Sequence, residues 1–495
     1  MKASPSTVRV AKSCVGALLP AFLVAGCILG PNYKKPELTV PDSFRAQITA
    51  SDATSFADLP WWSVFGDTAL QGLVTEALAN NNDLQIAVAR IEQARAMVGV
   101  SESQGNPQIG YQASAAGEKG LVLQQNGSAG PLTYGAFQGL LNATWELDIW
   151  GRIRRSTEAA RANLLAQQDV RRGVILTLVS DLAADYFRLL ELDRELAIAE
   201  ESARVYKDTL GLFTTRFDAG RDSKLPVDRT QANYDSSNAN IQDLRRGITQ
   251  QENAISTLVG AYPKAIQRGH PLTEQSTPET PLGTTTAVLQ RRPDILQAEQ
   301  NIISANAEIG VAVADRFPRV GLSAFLGGQG IVTDSWAGFG VWNAALSAAG
   351  PIYTGGRLEE VYHQRQAYWD ETVAQYKQKV LVAFQETSDA LVARQTLILR
   401  RTALESQVRA LRSSSDLALM RYQAGRAAYF EVLEAQQQLF PAESALAQTQ
   451  RDQLVAVVNL YKALGGGWNA DEAKPTEPAA NAPPMQGPAE RGERQ

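Results

Sequence analysis

Residues 141–149 read LNATWELDI, with an apolar side chain at every odd position and a polar one at every even position. Successive side chains of a β-strand point to opposite faces, so this alternation predicts a strand with one apolar and one polar face. We expect segment 108–115 to be its partner, and segments 319–327 and 338–348 to form a second pair. The sequence therefore predicts two β-hairpins, or four strands, in the chain.

A very long helix is expected directly after this strand. From 151 to about 212, apolar residues such as Leu178, Leu182 and Tyr186 recur every three or four positions, which is the period of an α-helix. About 60 helical residues reach about 90 Å at ~1.5 Å per residue. A helix of this length needs neighbours to pack against along all of it.

The chain contains a tandem duplication. A shift of 211 residues aligns one set of identical residues, and a shift of 205 aligns a second set further on. The aligned pairs include Asp83 with Asp294, Gly99 with Gly310, Gly151 with Gly356, Gly220 with Gly425, and Gly260 with Gly465. We therefore expect two repeats, at 66–263 and 278–467, each containing a helix, a β-hairpin and a long helical hairpin.

The helical hairpins are expected to turn at glycine. Gly220 and Gly425 follow the long helices, and glycine readily takes the left-handed conformation that caps a helix. Return helices are predicted over 224–260 and 428–464. These two glycines therefore mark the hairpin tips.

The N-terminus carries a secretion signal. Residues 1–26 contain basic residues, the short apolar stretch 14–24 and small residues before Cys27, which is typical of a cleaved signal peptide. The small residues resemble a bacterial lipobox, which implies cleavage before Cys27 and an N-acyl and S-diacylglycerol lipid on it. The alternative is a free or disulfide-bonded Cys27, but Cys14 lies inside the removed segment. The residue after it, Ile28, favours export to the outer membrane by resemblance to other lipoproteins.

Composition excludes several classes of protein. The 47 Lys and Arg residues nearly balance 52 Asp and Glu, so no nucleic-acid patch is expected. His270 and His363 are single and far apart, which leaves no zinc motif or histidine-based catalysis. Arg292-Pro293-Asp294 is interpreted as an ordinary helix start, and Gly465-Gly466-Gly467 as a helix end. We expect no catalytic residue, no metal and no cofactor other than the lipid.

Four strands leave an open sheet. After Cys27 no run of about 18 apolar residues could span a membrane as a helix, and an open sheet edge in lipid leaves backbone groups unpaired. Two copies would supply eight strands and three would supply twelve. The tryptophans near the strand ends favour a membrane barrel over soluble hairpins, because aromatic girdles mark bilayer interfaces. They are Trp145, Trp150, Trp336 and Trp342.

Motifs along the chain, in order, resemble those of the outer membrane factor (TolC/OprM-like) family, in its NodT-type lipoprotein branch. They are Trp61-Trp62, Phe65-Gly66-Asp67, Asn82-Asp83-Leu84, Trp145 to Gly151, Arg292-Pro293-Asp294, Gly310-Val311-Ala312, Gly350 to Tyr353 with Gly355-Gly356-Arg357, and Leu460 to Trp468.

The resemblance implies an α+β membrane protein. Three copies would form a 12-stranded outer-membrane β-barrel, four strands per chain, continued by a long α-helical barrel in the periplasm. The trimer would be the passive exit duct of a tripartite export system, with a periplasmic adaptor and an inner-membrane RND-type pump. Drugs, metal ions or, in type I secretion, proteins are all possible cargoes at this stage. A periplasm-spanning lipoprotein scaffold without a pore is the alternative from a different class.

The same resemblance suggests roles for the remaining segments. We expect residues 27–65 to be an extended, lipid-anchored N-terminal segment, and residues 264–277 to be a linker in the equatorial region. Residues 468–495 are rich in Pro, Ala and Glu without periodicity. They are expected to be disordered.

A periplasmic gate is expected at the hairpin tips. By resemblance, Glu431 and Glu434 form the acidic constriction, with an apolar ring at Phe430. Residues three apart share a helix face, so a trimer would hold two rings of three carboxylates that repel each other or recruit cations. Asp228 and Arg229 occupy the matching place in the first repeat. We expect them to form ion pairs between neighbouring hairpins.

Overall fold

The structure is a computed structural model that describes residues 28–41, 43–45, 66–123, 129–278, 285–332 and 336–466. The predicted signal peptide, Cys27 and the tail 468–495 lie outside the described residues. In chain order the elements are α1 (Thr68–Asn80), α2 (Asn82–Ser103), β1 (Gln108–Leu123), β2 (Ala129–Leu147), α3 (Arg152–Asp218), α4 (Lys224–Leu258), a 3-10 turn (Leu272–Glu274), α5 (Thr285–Arg291), α6 (Pro293–Ala314), β3 (Arg319–Val332), β4 (Trp336–Ala349), α7 (Arg357–Gln423) and α8 (Tyr429–Ala463).

The described chain divides into two compact units, and each draws on both sequence repeats. The sheet unit comprises the described residues up to Lys34 together with Arg95–Arg161 and Ile303–Asp370. The helical unit comprises the described parts of Lys35–Ala94, Ala162–Ile302 and Glu371 onwards.

The sheet unit contains one antiparallel sheet in the order β1-β2-β3-β4. Its register places most of the large apolar residues of the four strands on one face, because paired residues of neighbouring strands share a face. Successive levels of that face carry Tyr111, Leu141, Leu326 and Trp342, then Ile109, Ala143, Ala324 and Ala344, then Trp145, Leu322 and Leu346.

The opposite face of the sheet is mostly polar and uncharged. Its levels carry Gln108, Thr144, Ser323 and Ala345, then Gly110, Asn142, Phe325 and Asn343, then Ser114, Gln138, Gln329 and Phe339. Phe325 and Phe339 are apolar exceptions in these levels, and the level between the last two carries Leu140 and Val341. Charges on this face lie toward the strand ends, at Glu118, Glu146 and Arg319. A sheet with one continuous apolar face and one hydrated face is the arrangement of a membrane β-barrel wall.

The strands are longer than the alternation predicted. β1 extends to Leu123, and β2 begins at Ala129 rather than 141. Glycine and alanine fill many of the added positions, and such small side chains hide the period. At its other end β2 stops at Leu147, two residues early, because the Asp148 carboxylate accepts from the N–H groups of Ile153 and Arg154 at 3.0 Å each and caps α3.

Two tryptophans lie near opposite ends of the sheet. Trp336 lies at the level of Gly135, and Trp145 lies ten residues further along β2. Ten strand residues cover about 33 Å, or about 25 Å along the membrane normal at a tilt of ~40°, which is the height of a lipid-facing apolar band. Trp342 lies between these levels, opposite Leu326. Trp150 lies beyond β2, where its indole N–H donates to the Pro318 carbonyl at 2.7 Å.

The helical hairpins turn where the sequence indicated. α3 and α7 each have 67 residues, or about 100 Å of helix at ~1.5 Å per residue. Gly220 and Gly425 both have φ of 68°, and the N–H groups of Arg221 and Arg426 donate back to carbonyls five residues earlier, at 2.9 and 2.8 Å. This is the Schellman cap that glycine permits.

The linker between the repeats is held by a buried carboxylate. Asp67 caps α1 and also accepts from the Tyr186 hydroxyl (3.0 Å), the His270 N–H (3.1 Å) and the Gln275 amide (2.7 Å). Burial disfavours the charge, but the hydrogen bonds from Gln275, Leu70, Tyr186 and Ala69 outweigh it and lower the pKa of Asp67. Segment 264–277 is therefore fixed to α1 and α3.

The duplication is visible in matching contacts where the return helices end. In the first repeat, the Asn81 amide donates to the Leu258 carbonyl at the end of α4, at 2.9 Å. In the second, the buried Arg292 donates to the Ala463 carbonyl at the end of α8, at 3.1 Å. Arg292 is the counterpart of Asn81 at the shift of 211, and Ala463 that of Leu258 at the shift of 205.

Arg292 makes contacts with several helices besides preceding the start of α6. Pro293 is indeed the first residue of α6, but Arg292 also pairs with Asp294 (2.8 Å) and with Glu386 of α7 (2.7 Å). The motif Arg292-Pro293-Asp294 therefore joins α6, α7 and the end of α8. Burial works against the charge of Asp294, yet Arg292 keeps the pKa of that carboxyl lowered.

The register predicts which substitutions in the sheet prevent assembly. Leu141→Arg places a charge on the apolar face in the middle of the band and is expected to cost about 2–4 kcal/mol, whereas the strand-end position Leu147 is expected to cost only about 0–1 kcal/mol. Asn142→Arg, on the polar face, should assemble normally. The measurement is the yield of heat-modifiable trimer from outer-membrane fractions. Equal yields from Leu141→Arg and Asn142→Arg would contradict the assignment of faces.

Candidate channel gate at the helical hairpin tips

Four helices meet near the tips around one aromatic cluster. Phe213 of α3 is fully buried against Tyr422 of α7 and Tyr429 of α8, with ring centroids 5.5 and 4.4 Å away and edge-to-face geometry. Val227 of α4 packs on the same cluster. Both hairpins contribute to this cluster, which holds their ends together within one chain.

A polar link joins the two hairpins beside this cluster. Asp222, in the turn of the first hairpin, accepts from the Arg216 guanidinium at 2.7 Å and from the Tyr422 hydroxyl of the second hairpin at 3.2 Å. The guanidinium carbon of Arg216 also lies 5.0 Å from the centre of the Tyr422 ring. Burial, and then the charge of Asp222, raise the pKa of Tyr422, so its hydroxyl stays protonated and able to donate.

A second link lies deeper between the hairpins. The Thr230 hydroxyl of α4 lies 2.8 Å from the Tyr429 hydroxyl of α8 and also 2.8 Å from the Pro226 carbonyl. Thr230 has a single proton, which it donates to the carbonyl, so Tyr429 donates to Thr230. Burial raises the pKa of Tyr429, although the hydrogen bond with Thr230 and the nearby charge of Arg229 act to lower it.

The sequence-predicted constriction residues share one exposed face of α8. Glu431 and Glu434 are both exposed, whereas Val432 and Leu433 between them are buried. Glu431 pairs with Arg421 of the same hairpin at 3.4 Å, and Glu434 accepts from Gln438 at 3.3 Å. Phe430 is 60% exposed. In a single chain these residues are available to face other copies or the pore.

Asp228 and Arg229 are exposed on the first turns of α4. Asp228 pairs with Lys224 of its own helix at 3.6 Å rather than with the other hairpin. Among the described residues, hydrogen bonds between the hairpins at the tips are instead made by Asp222 and Thr230. The predicted ion pairs between neighbouring hairpins are therefore not formed by these two residues within one chain.

Sequence reasoning missed Asp222, Tyr422 and Arg216. The shift of 205 offered a signal, because it aligns Tyr422 with Phe217 and Asp222 with Ala427. The donor is present only in the second repeat and the acceptor only in the first. Such complementary losses of symmetry mark a contact between the two repeats.

None of the described helices combines the length and the apolar character needed to cross a membrane. Within the same residues, no group of three or more His, Cys, Asp or Glu side chains is placed to hold a metal ion.

An antiparallel sheet with two open edges and one mainly apolar face, in a chain with two long helical hairpins joined at their tips, fits the wall of an oligomeric membrane channel. The model of the family described as outer membrane efflux protein matches residues 73–261 and 285–466, one match per repeat. The chain belongs to the outer membrane efflux protein family.

Individual relatives agree over nearly the whole chain. The cation efflux system protein CusC of Escherichia coli O6:H1 is 31% identical over 461 residues, which cover 91% of this chain and 98% of that protein. The toluene efflux pump outer membrane protein TtgC of Pseudomonas putida is 31% identical over 478 residues, which cover 92% and 96%.

A solved channel has the same fold. The open-state MtrE outer membrane channel of Neisseria gonorrhoeae is 28% identical, with a TM-score of 0.79, and the match covers 89% of this chain and 98% of that chain. Channels of this structural class are trimers with a β-barrel and a long helical barrel, so three copies of a four-stranded sheet supply twelve strands here.

These findings confirm the expected family, fold class and role. The protein is the outer-membrane exit duct of a tripartite efflux system, extends into the periplasm, and works with a periplasmic adaptor and an inner-membrane RND pump. The match to efflux channels supports the channel rather than the alternative, a lipoprotein scaffold without a pore.

The tip link predicts a leak when its donor is removed. Tyr422→Phe leaves Asp222 one hydrogen bond short, which we expect to weaken the closed tip by about 1–2 kcal/mol and to raise the open population by about tenfold. Single-channel recording and uptake of a large hydrophilic antibiotic such as vancomycin measure the leak. The control is Phe217→Tyr, which adds a hydroxyl at the first-repeat counterpart of Tyr422, where the counterpart of Asp222 is Ala427, and should not change conductance. Wild-type conductance in Tyr422→Phe would contradict the role of the link.

Proposed function

We propose that the trimer conducts small solutes of either charge passively and that the hairpin tips, rather than the barrel, control passage. The observation that carries the proposal is the contrast between the two regions. The polar face of the sheet offers mostly amide and hydroxyl groups such as Gln138, Asn142 and Thr144, whereas the tip concentrates charges and hydrogen bonds between hairpins. The few charges on this face are of both signs, with Glu146 paired to Arg152, so the lining gives no strong preference for cations or anions.

The relatives support this breadth of cargo. CusC is named for cation efflux and TtgC for toluene efflux, and both are 31% identical to this chain. Similarity of the duct therefore does not separate a metal-ion route from an organic one. We propose that the cargo is selected by the pump and that this chain serves as a shared exit. Loss of this chain should sensitise cells to the substrates of its own pump, whether metal cations or organic compounds, and a growth screen of the deletion strain with both classes identifies which.

The acidic face of α8 is proposed as the cation-binding part of the gate. In a trimer, Glu431 and Glu434 would provide two rings of three carboxylates, with Phe430 as an apolar ring beside them. Like charges held close attract cations. The exposure of all three residues supports this role.

We predict that Glu431→Ala/Glu434→Ala raises single-channel conductance and weakens block by divalent cations added from the periplasmic side. Removing the carboxylates removes both the ion pair of Glu431 with Arg421 and the sites for the blocking ion. Asp243→Ala is the matched control, since it removes an exposed carboxylate of α4 that pairs with Arg246 of its own helix and is not among the gate residues. Undiminished cation block in the double variant would reject these residues as the gate and leave the channel function intact.

Cys27 is proposed as the lipid attachment site, with N-acyl and S-diacylglycerol groups. The small residues Val24-Ala25-Gly26 before the cysteine support this assignment. Cys27→Ser is predicted to block processing at this position and to abolish incorporation of labelled palmitate, because no other thiol follows in the mature chain. Palmitate labelling that persists in Cys27→Ser would refute the assignment.

A further inference from the structure

The residues directly after the lipidation site are bound to the sheet unit by one buried arginine. Arg155, near the start of α3, is only 3% exposed. Its guanidinium donates to the Leu29 carbonyl (3.1 Å), the Gly30 carbonyl (3.3 Å) and the Asn32 side-chain oxygen (2.8 Å). It also pairs with Glu158 at 2.8 Å. We call residues 28–34 the strap and their binding site the dock.

Both repeats contribute to the dock. The Leu29 N–H donates to the Trp150 carbonyl at 3.1 Å, just after β2. From the second repeat, the Asn306 amide of α6 donates to the Pro31 carbonyl at 2.9 Å. The strap therefore crosses from the first repeat to the second through hydrogen bonds along consecutive residues.

Glycines allow the strap to lie against the dock backbone. Gly30 has φ of 89°, and a Cβ there would lie 2.5 Å from the Cα of Gly310. Gly151 has φ of 77°, and a Cβ there would lie 3.0 Å from the Cα of Ile28. Side chains at Gly30 or Gly151 would both clash and strain the backbone.

The arginine of the dock is not part of the repeated sequence pattern. At the shift of 205, the counterpart of Arg155 is Glu360. At the shift of 211, the counterpart of Gly310 is Gly99, so the glycine is repeated and the arginine is not. Arg155 is therefore specific to the first repeat, whose strand-to-helix junction binds the strap.

We propose that the dock holds the strap as an intramolecular ligand and thereby keeps Ile28, the residue that follows the lipid-bearing Cys27, beside the end of β2 while the barrel assembles. Arg155 is the positioning residue of the anchor. Ile28, the next residue after Cys27, already contacts Gly151, so a docked strap leaves the lipid no freedom to lie far from the end of the strands. The anchoring part of the proposal rests on acylation of Cys27, whereas the dock itself does not.

Trypsin tests the dock. The bond after the exposed Lys34 is cleavable only when the strap leaves its site, since a protease needs several residues of free chain. Arg155→Ala removes the donor, and Gly30→Ala displaces the strap while leaving Arg155 in place. Each should speed cleavage after Lys34 in the membrane-embedded trimer by about tenfold or more, because hydrogen bonds to a charged group are lost or broken. Mass spectrometry of the new N-terminus at Lys35 measures the rate, whether or not Cys27 carries a lipid.

The matched control is Arg161→Ala, which removes an arginine of the same helix that pairs with Glu102 at the surface. It should be cleaved at the wild-type rate. Arg155→Lys keeps the charge without the forked donors and should fall between wild type and Arg155→Ala. Wild-type cleavage rates in both Arg155→Ala and Gly30→Ala would overturn the dock. If Arg155→Ala fails to fold, Gly30→Ala and Asn32→Ala decide the question from the strap side.

A double-variant cycle tests the anchoring role. Arg155→Ala should slow the appearance of heat-modifiable trimer in the acylated protein, but not further in a Cys27→Ser form exported by a non-lipoprotein signal. Equal slowing in both backgrounds would make Arg155 a purely structural residue and overturn the positioning role. If the wild-type protein is found to carry no palmitate, both acylation and the anchoring role are refuted. The trypsin comparison would still decide whether the dock exists.

Discussion

The unpaired edges of a four-stranded sheet are the constraint on which the rest of the structure depends. A backbone N–H or C=O left without a partner in lipid costs several kcal/mol, and β1 and β4 are both edges within one chain. Only other copies can pair them in the membrane. Closure by a trimer turns the apolar face of each sheet toward lipid and the polar face toward a central space, so that a channel follows from satisfying the backbone.

The duplication builds this architecture from two copies of one unit. The positions where the two repeats differ show which contacts are specific to one repeat. Where the two repeats do the same work, as at the ends of α4 and α8, Asn81 and Arg292 make the same contact with different groups. Where only one repeat makes a contact, it has a residue that the other repeat lacks. Asp222 faces Tyr422 across the hairpins, and Arg155 holds a strap that Glu360 does not.

Much of the fold follows from periodicity, whereas the contacts that specify the site do not. The alternation at 141–149 and the glycines at 220 and 425 identified the faces of the sheet and the hairpin tips, because both depend on neighbours in sequence. The strand lengths were underestimated because glycine carries no side chain to reveal a period. Asp67, Asp222 and Arg155 were missed because their partners lie about 120 to 210 residues away, and no local pattern records such pairs.

The central claim is that the two faces of β2 meet lipid and water alternately, and cysteine scanning of β2 tests it most directly. Cys14 and Cys27 are the two cysteines of the sequence, and neither lies in β2, so single cysteines can be introduced at successive positions from 135 to 147 in the assembled trimer. The account predicts that odd positions such as Leu141 and Ala143 react with a membrane-confined maleimide, and that even positions such as Asn142 and Thr144 react with a water-soluble one. Uniform reaction with the water-soluble reagent at both sets of positions would contradict a membrane barrel built from these strands.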